Sequence, residues 1–232
     1  MPTPEPVPIV ILYEDDDVMA INKPAGIVIH PTYRNTSGTI LNGILWHLRG
    51  RDGVRPGLVS RLDKDTSGVV LVALSAGAHA QMQRDAHAGR VTKQYLAVVL
   101  GAPQAQEGII RFPLCRDPAD RRRVIVSGGG AQSETRYRVL ATGNGYSVVC
   151  CKLVTGRTHQ IRVHLAASGW PIVGDRLYGS ADGRIDRQAL HAWRIAIPHP
   201  VSRQLLTLEA PIAGDVRRLC SETKLNIRDP SS

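Results

Sequence analysis

Residues 58–74 read LVSRLDKDTSGVVLVAL, a charged segment between two apolar runs. The continuous apolar run over 68–74 is typical of a buried strand. Because the charged segment 60–68 lies directly before that strand, we expect the turn to be held at the mouth of a core. The residues alone leave two interpretations open: a functional turn, or a polar β-turn whose Asp, Thr, Ser and Gly side chains satisfy their own backbone.

Outward from this stretch, strand patterns outnumber helix patterns. The predicted strands lie at 9–12, 18–22, 68–74, 91–100, 107–112, 123–127, 133–141, 145–154, 189–197 and 204–209. The predicted helices lie at 39–48, 75–88, 158–167 and 212–222. Strands and helices do not alternate regularly, which favours an α+β fold with a mixed, mostly antiparallel sheet. We find no repeat and no linker, so one domain is predicted.

The charge balance favours a polyanionic partner. The 232 residues include 29 Lys and Arg against 20 Asp and Glu, giving a net charge of +9. Basic side chains gain affinity by displacing counterions from phosphates, so RNA and DNA are both candidates. No apolar run approaches the roughly 18 residues of a membrane span. The first eight residues, with four prolines, resemble an extended lead-in rather than a signal peptide, and we expect a cytoplasmic protein.

Several familiar sites are not supported by the sequence. It contains no Walker A, GxGxxG, HExxH or GxSxG pattern, which argues against nucleotide hydrolysis, hydride transfer and metalloprotease chemistry. The cysteines form no CxxC pair, so free thiols are predicted rather than a disulfide or zinc site; they are Cys115, Cys150, Cys151 and Cys220.

A second polar segment, LVTGRTHQIRVH over residues 153–164, follows a predicted strand. It puts two arginines, two histidines and a glutamine at the start of a predicted helix. A helix N-terminus with forked cations suits an anion, either an RNA phosphate or a catalytic carboxylate. The alternative is a surface cluster capped by threonine.

Together these segments resemble the RluA-type RNA pseudouridine synthases. Residues 60–68 resemble the family's HRLDxxTSG signature, and the run from Thr155 to His164 resembles TGRTHQIRVH. The remaining motifs, in order, are similar to the KPxG and HP elements (Lys23–Gly26, His30-Pro31), the KxYxA strand (Lys93–Ala97), and the tail pattern (Pro171–Asp175, Leu190–Ala192, His199-Pro200). The resemblance implies a pseudouridine synthase fold whose sheet is flanked by helices and split by an active-site cleft.

The resemblance also implies a role for each matched residue. Asp63 would be the catalytic carboxylate, with Arg162 as its cationic partner and Tyr95 stacking on the uracil. An ionised carboxylate in a cleft needs such a cation to offset its lost hydration. The implied substrate-binding residues are Arg61, which would fill the position of the flipped uridine, the apolar walls Leu62 and Leu153, the phosphate contact Arg157, and His159 and Gln160.

The resemblance leads to the function we expect: a cofactor-free isomerase, without a metal, acting as a monomer on ribosomal or transfer RNA. Its catalytic domain is predicted over 9–222, with the lead-in 1–8, a tail 223–232 and no S4 domain. Ser60 departs from the family's usual histidine. Two alternatives stay open. One is a non-catalytic RNA-binding or remodelling protein on the same fold; the other is a basic DNA-binding protein, which lacks a helix-turn-helix or finger signature.

Overall fold

The computed structural model describes residues 2–31, 36–179 and 181–226, so Met1 and the last six residues of the predicted tail lie outside it. Its strands in these ranges are β1 (Val10–Glu14), β2 (Val18–Lys23), β3 (Gly57–Leu58), β4 (Ser67–Ala73), β5 (Thr92–Leu100), β6 (Glu107–Ile110), β7 (Leu114–Arg116), β8 (Val124–Val126), β9 (Thr135–Gly143), β10 (Tyr146–Leu153), β11 (Leu190–Pro198) and β12 (Leu205–Glu209). Its helices are α1 (Ile40–His47), α2 (Ala76–His87), α3 (Gln160–Ala167) and α4 (Gly214–Glu222). The predicted α+β class is confirmed.

The chain forms two compact units. Unit 1 contains Met1–Thr92 and Ala192–Pro211, and unit 2 contains Lys93–His191 and Ile212–Ser232. In unit 1 the strand order is β1-β2-β4-β11, with β12 beside β11 and β3 beside β4. The pairs β1–β2, β2–β4, β3–β4 and β11–β12 are antiparallel, as the sequence predicts for most of the sheet.

Strand β4 supplies the centre of the unit 1 core, because all of its residues are buried. Its odd-numbered apolar residues pack in one cluster with Ala78 and Met82 of α2. Its even-numbered apolar residues pack in another cluster with Ile40 and Ile44 of α1. Apolar residues cover both faces, which explains why the run over 68–74 does not alternate with polar residues. Each fully buried aliphatic side chain contributes roughly 1.5–3 kcal/mol.

The ends of α1 and α2 follow from local sequence. Thr39 caps α1 in a capping box with Asn42. The Ser75 hydroxyl accepts a hydrogen bond from the Ala78 amide at the start of α2. Gly89, just past the end of α2, has a φ of +71°, a left-handed conformation that glycine adopts without a steric penalty. Both helices are predicted from the sequence at nearly these bounds.

Unit 2 contains an antiparallel set of strands in the order β5-β10-β9-β6. A separate antiparallel hairpin, β7–β8, packs against α3 through Leu114, Val124 and Val163. The sequence predicts β8 but neither β7 nor the two-residue strand β3. No helix within the described ranges has the length and apolar character that crossing a membrane would require.

Candidate active site

Asp63 lies in the loop between β3 and β4 of unit 1 and is half-buried. The loop is closed by a hydrogen bond from the Thr66 amide to the Asp63 carbonyl, 3.1 Å long. The carbonyl of Lys64, the next residue, accepts a bond from the Gly26 amide at 3.0 Å and another from Lys23 Nζ at 2.8 Å. The loop is therefore attached through its backbone to the turn after β2.

Lys23 makes this attachment from a fully buried position, with 0% of its surface exposed. Its ammonium donates to the carbonyls of Pro24 at 2.7 Å, Ile27 at 2.9 Å and Lys64 at 2.8 Å. Burying a charged amine is costly unless hydrogen bonds replace its lost hydration, and three carbonyls supply that replacement. The sequence singles out the motif that contains Lys23 but predicts no role for this side chain.

Ser60 and Gly68, two further residues of the signature segment, make contacts that hold the loop in place. The buried Ser60 hydroxyl accepts a hydrogen bond from the Leu71 amide at 3.0 Å, so the residue that departs from the family pattern fastens the loop to β4. Gly68 has a φ of +116°, and a Cβ there would lie 2.1 Å from the Ala192 carbonyl oxygen. Only glycine fits such a close approach of two backbones. Beside Asp63, Arg61 is exposed, and Leu62 packs against the α1 side of the core.

In unit 2, Tyr95 lies on β5 and is 8% exposed. In the antiparallel ladder Tyr95 stands opposite Cys151, and Lys93 stands opposite Leu153. Because side chains alternate along a strand and directly opposed residues share a face, these four side chains lie on one face of the strands. Burial lowers the pKa of Lys93 below its ordinary value of 10.5. The predicted uracil contact Tyr95 and the predicted wall Leu153 are thus neighbours.

Arg162 lies on α3 and is buried in an ion pair with Asp175. Its Nε and Nη2 atoms donate to the two carboxylate oxygens at 2.7 and 2.8 Å, and the exposed fractions of the two residues are 5% and 1%. Burial raises the pKa of Asp175, but the hydrogen bonds and charge of Arg162 outweigh it, so the pKa lies below 3.8. Paired through Nε and Nη2, the guanidinium turns Nη1 away from Asp175.

The start of α3 is organised by Gln160, which is buried. Its amide nitrogen donates to the Glu134 carbonyl and the Thr135 hydroxyl, both at 3.0 Å. Its amide oxygen accepts from the Thr155 hydroxyl at 2.9 Å and from the Arg157 amide at 3.0 Å. These four bonds use the full hydrogen-bonding capacity of the side chain. Gln160 therefore fixes the backbone of Arg157, whose own side chain is exposed.

The predicted bounds of α3 need a correction. The helix begins at Gln160, two residues after the predicted start at 158, because His159 has a left-handed backbone with a φ of +54°. No threonine side chain caps the helix; His159 occupies the cap position without a side-chain hydrogen bond to the helix. His159 Nδ1 is 2.8 Å from the Tyr178 hydroxyl. Buried Gln160 and Arg162 show that this segment is not a surface cluster.

One group of possible metal ligands occurs in the described ranges, formed by Asp15, Asp17 and His199 of unit 1 within 4.8 Å of one another. Asp15 accepts bonds from the Asp17 and Val18 amides at 2.9 and 2.8 Å, and it contacts His199 Nε2 at 2.9 Å. These contacts fasten the turn after β11 to the turn after β1, which explains the group without an ion. The four cysteines are free thiols, and all but half-buried Cys115 are buried.

Within each unit, the predicted site residues form compact sets. Unit 1 holds Arg61, Leu62 and Asp63 on one loop. Unit 2 holds Tyr95 and Leu153 on one face of the paired strands β5 and β10. It also holds the residues from Arg157 to Arg162 at the start of α3. Sequence reasoning gave no role to Asp175, Tyr178 and Lys23. The tail motif that ends at Asp175 is the one signal that could have directed attention to Asp175.

Comparison with known proteins finds one matching family model and several similar proteins. Residues 17–167 match the family model described as RNA pseudouridylate synthase. A ribosomal large subunit pseudouridine synthase D from Nitrosomonas europaea is 42% identical over 225 residues, which cover 93% of this chain and 65% of that protein. An uncharacterized RNA pseudouridine synthase, YlyB, from Bacillus subtilis is 40% identical, with 96% of this chain and 75% of that protein covered.

Solved structures agree with this match. Human RNA pseudouridylate synthase domain containing 1 superposes with a TM-score of 0.73 at 29% identity, covering 91% of this chain and 86% of that one. Human RNA pseudouridylate synthase domain containing 4 superposes with a TM-score of 0.78 at 23% identity, covering 95% of both chains, which shows a shared fold.

Proposed function

The chain belongs to the RNA pseudouridylate synthase family and its chemistry is that of an isomerase; we propose that it converts uridine to pseudouridine in ribosomal RNA, with Asp63 as the catalytic carboxylate. The observation that carries this proposal is the match over residues 17–167, which contains Asp63, Tyr95 and Arg162. The name of the Nitrosomonas relative favours ribosomal RNA, and transfer RNA is the alternative substrate.

The reaction rearranges one nucleotide without a net gain or loss of atoms. The Asp63 carboxylate starts cleavage of the N1–C1′ bond, the detached uracil turns, and a C5–C1′ bond forms. A proton then leaves C5, and N1 takes one up. The side chain needs a fixed position for this role, because small displacements of a reacting group slow chemistry strongly. The backbone bonds from Lys23 and Gly26 to the residue after Asp63 support that requirement.

The detached base must be retained and kept from water while it turns. We propose that Tyr95 stacks on the uracil and that its hydroxyl assists the proton transfer at C5. The almost complete burial of Tyr95 and the neighbouring position of Leu153 on the same strand face support this role. Leu62 would supply a second apolar wall.

Arg162 would act on Asp63 as an oriented hydrogen-bond donor more than as a net charge. Asp175 already balances its positive charge, and this pairing fixes the plane of the guanidinium. Arg157 and His159 would contact the RNA. Gln160 would contribute to RNA binding indirectly, because its side chain holds the backbone of Arg157 in place. Arg61, exposed beside Asp63, would fill the gap left by the flipped uridine.

We propose that both units belong to one catalytic domain over 9–222, since the family match runs across the unit boundary at Thr92. The enzyme would work in the cytoplasm as a monomer, with its own side chains in place of a cofactor. Its net charge of +9 supports binding to the phosphates of a structured RNA.

The proposal is tested by mapping pseudouridines chemically in total RNA from cells with and without the gene. We expect one or a few sites in ribosomal RNA to disappear with the gene and to return when the wild-type gene is restored. Loss of sites in transfer RNA alone would replace the proposed substrate. If no site changes, and the purified protein also releases no tritium from C5-labelled uridine in RNA, the non-catalytic RNA-binding alternative would be favoured.

A further inference from the structure

Tyr178 of unit 2 contacts hairpin β7–β8 and the start of α3, which carries the predicted RNA contact His159. Its hydroxyl lies 2.7 Å from the Val124 amide nitrogen on β8 and 2.8 Å from His159 Nδ1 before α3. Its ring centre lies 5.1 Å from the Arg162 guanidinium carbon and 5.5 Å from that of Arg123. Cations at this distance are attracted to the face of an aromatic ring. One side chain therefore joins hairpin β7–β8 to the start of α3.

The two contacts of the hydroxyl favour the His159 tautomer that is protonated on Nε2 and accepts a hydrogen bond at Nδ1. The Val124 amide can only donate, so the hydroxyl accepts there and can give its own proton to His159 Nδ1. Burial raises the pKa of the Tyr178 hydroxyl above 10.0, against a smaller lowering by the Val124 amide, so the proton is present at neutral pH. A neutral His159 then carries its proton on Nε2, where it suits an oxygen of RNA.

The backbone around this junction is also constrained. His159 has a φ of +54° and a ψ of +17°, a region that residues other than glycine seldom occupy and that tends to occur at functional sites. Tyr178 is fixed from its other side, because Asp175 Oδ1 accepts its amide at 3.2 Å and that of Leu177 at 3.0 Å. The same carboxylate group holds Arg162.

We infer that Tyr178 is a positioning residue, whose hydroxyl sets the tautomer and orientation of His159 and links them to hairpin β7–β8. This inference rests on the proposed function, in which His159 contacts the RNA. The hairpin region carries three consecutive arginines, Arg121 to Arg123. The Nε atom of Arg123 is buried and has no hydrogen-bond partner among the described residues. If RNA binds these arginines, the Tyr178 hydroxyl would couple the position of the hairpin to the orientation of His159.

The test is Tyr178→Phe, which keeps the ring and removes the hydroxyl. We expect the single-turnover rate at saturating RNA to fall roughly tenfold while the RNA dissociation constant changes less than about twofold. The matched control is Tyr146→Phe in the same unit. The Tyr146 hydroxyl also bonds an arginine, Arg184, whose guanidinium carbon lies 4.7 Å from the ring centre. This control should keep the wild-type rate.

A double-mutant cycle separates positioning from general loss of structure. If the hydroxyl acts through His159, Tyr178→Phe should slow the His159→Ala variant less than about twofold, since the group that it positions is gone. Equal fold losses in both backgrounds would overturn the route through His159. A Tyr178→Phe variant with a wild-type rate, or one with only a lower melting temperature, would overturn the positioning role.

The outcomes also separate this inference from the function on which it rests. Wild-type protein that releases tritium from C5-labelled uridine, with an inactive Asp63→Asn variant and a fully active Tyr178→Phe variant, would refute only the role of Tyr178. Wild-type protein that modifies no RNA would refute the proposed function itself, and with it the inference.

Discussion

The loop 60–68 and the start of α3 both present polar side chains beside a buried strand, but different contacts hold them in place. The loop is held largely through its backbone: Lys23 and Gly26 bind the Lys64 carbonyl, and Gly68 allows a close approach to Ala192. The start of α3 is held largely through side chains, by the Arg162–Asp175 pair and the four bonds of Gln160.

This difference predicts how each region responds to substitution. In the loop, the catalytic side chain can be changed while the backbone hydrogen bonds of the loop remain, so activity and stability should separate. At the start of α3, removing one member of a buried pair leaves a charge without its partner, so activity and stability should fall together.

The strongest coupled effect is expected for Arg162→Met. It should lower activity by orders of magnitude and the free energy of unfolding by about 3–5 kcal/mol, because Asp175 is left buried and charged. Adding Asp175→Asn should restore most of the stability, since the lone charge is gone, but none of the activity. Chemical denaturation and single-turnover tritium release measure the two quantities.

The matched control for that experiment is Arg187→Met. Arg187 is 9% exposed and pairs with Asp215 through two bonds of 2.6 and 2.7 Å in the same unit. We expect this variant to lose stability while its folded fraction keeps a rate near that of the wild type. If the Arg162→Met protein is as active as the Arg187→Met protein, the Arg162–Asp175 pair has no role in activity beyond its effect on stability.

A smaller effect, dependent on the substrate, is expected in the loop for Arg61→Ala. Unstacking a flipped uridine costs a few kcal/mol, and a guanidinium in the gap would offset part of that cost. The variant should therefore modify a structured stem-loop roughly tenfold more slowly, but a short unstructured RNA with the same uridine almost normally. Both RNAs are compared in single-turnover assays. Equal small losses would instead indicate a surface ion pair, for instance with Asp65.

The smallest effect concerns pH and the α3 region. His164 is fully buried, and burial lowers its pKa below 6.5 despite the opposing bond to the Phe112 carbonyl. The unfolded chain therefore binds this proton more readily, so stability is retained above pH 6.5 and falls as the pH drops below it. His164→Gln should reduce this pH dependence of the unfolding free energy. If His164→Gln leaves the pH dependence of the unfolding free energy unchanged between pH 7 and about pH 5, the lowered pKa of His164 would be contradicted.

Local patterns predicted most of the fold. The apolar run of β4 and the helix α2 are found nearly where the sequence predicts them, because the β4 run, the Ser75 cap and the closing Gly89 each depend on neighbours in sequence. The starting residue of α3 was missed because a left-handed His159 is stabilised by Tyr178, far along the chain. Strand β7 was missed because its partner, β8, lies beyond an intervening loop.

The residues of the candidate site likewise include some that sequence motifs predict and some that they do not. The sequence identifies Asp63, Tyr95 and Arg162 because each lies in a motif of the family that the chain matches. It gives Asp175 and Tyr178 no role, because their partners depend on how residues 171–179 fold back on the start of α3. An ion pair between residues 13 positions apart has no periodic pattern in the sequence.

The role of Asp63 as the catalytic carboxylate is tested by tritium release from C5-labelled uridine in ribosomal RNA, measured for wild-type and Asp63→Asn proteins under single-turnover conditions. The substitution keeps the size of the side chain and removes its charge, and the backbone bonds of the loop do not depend on it. We expect release by the wild type, none by the variant, RNA affinity within about threefold and an unchanged unfolding midpoint. Substantial release by a folded Asp63→Asn protein would contradict the assignment of Asp63 as the catalytic carboxylate.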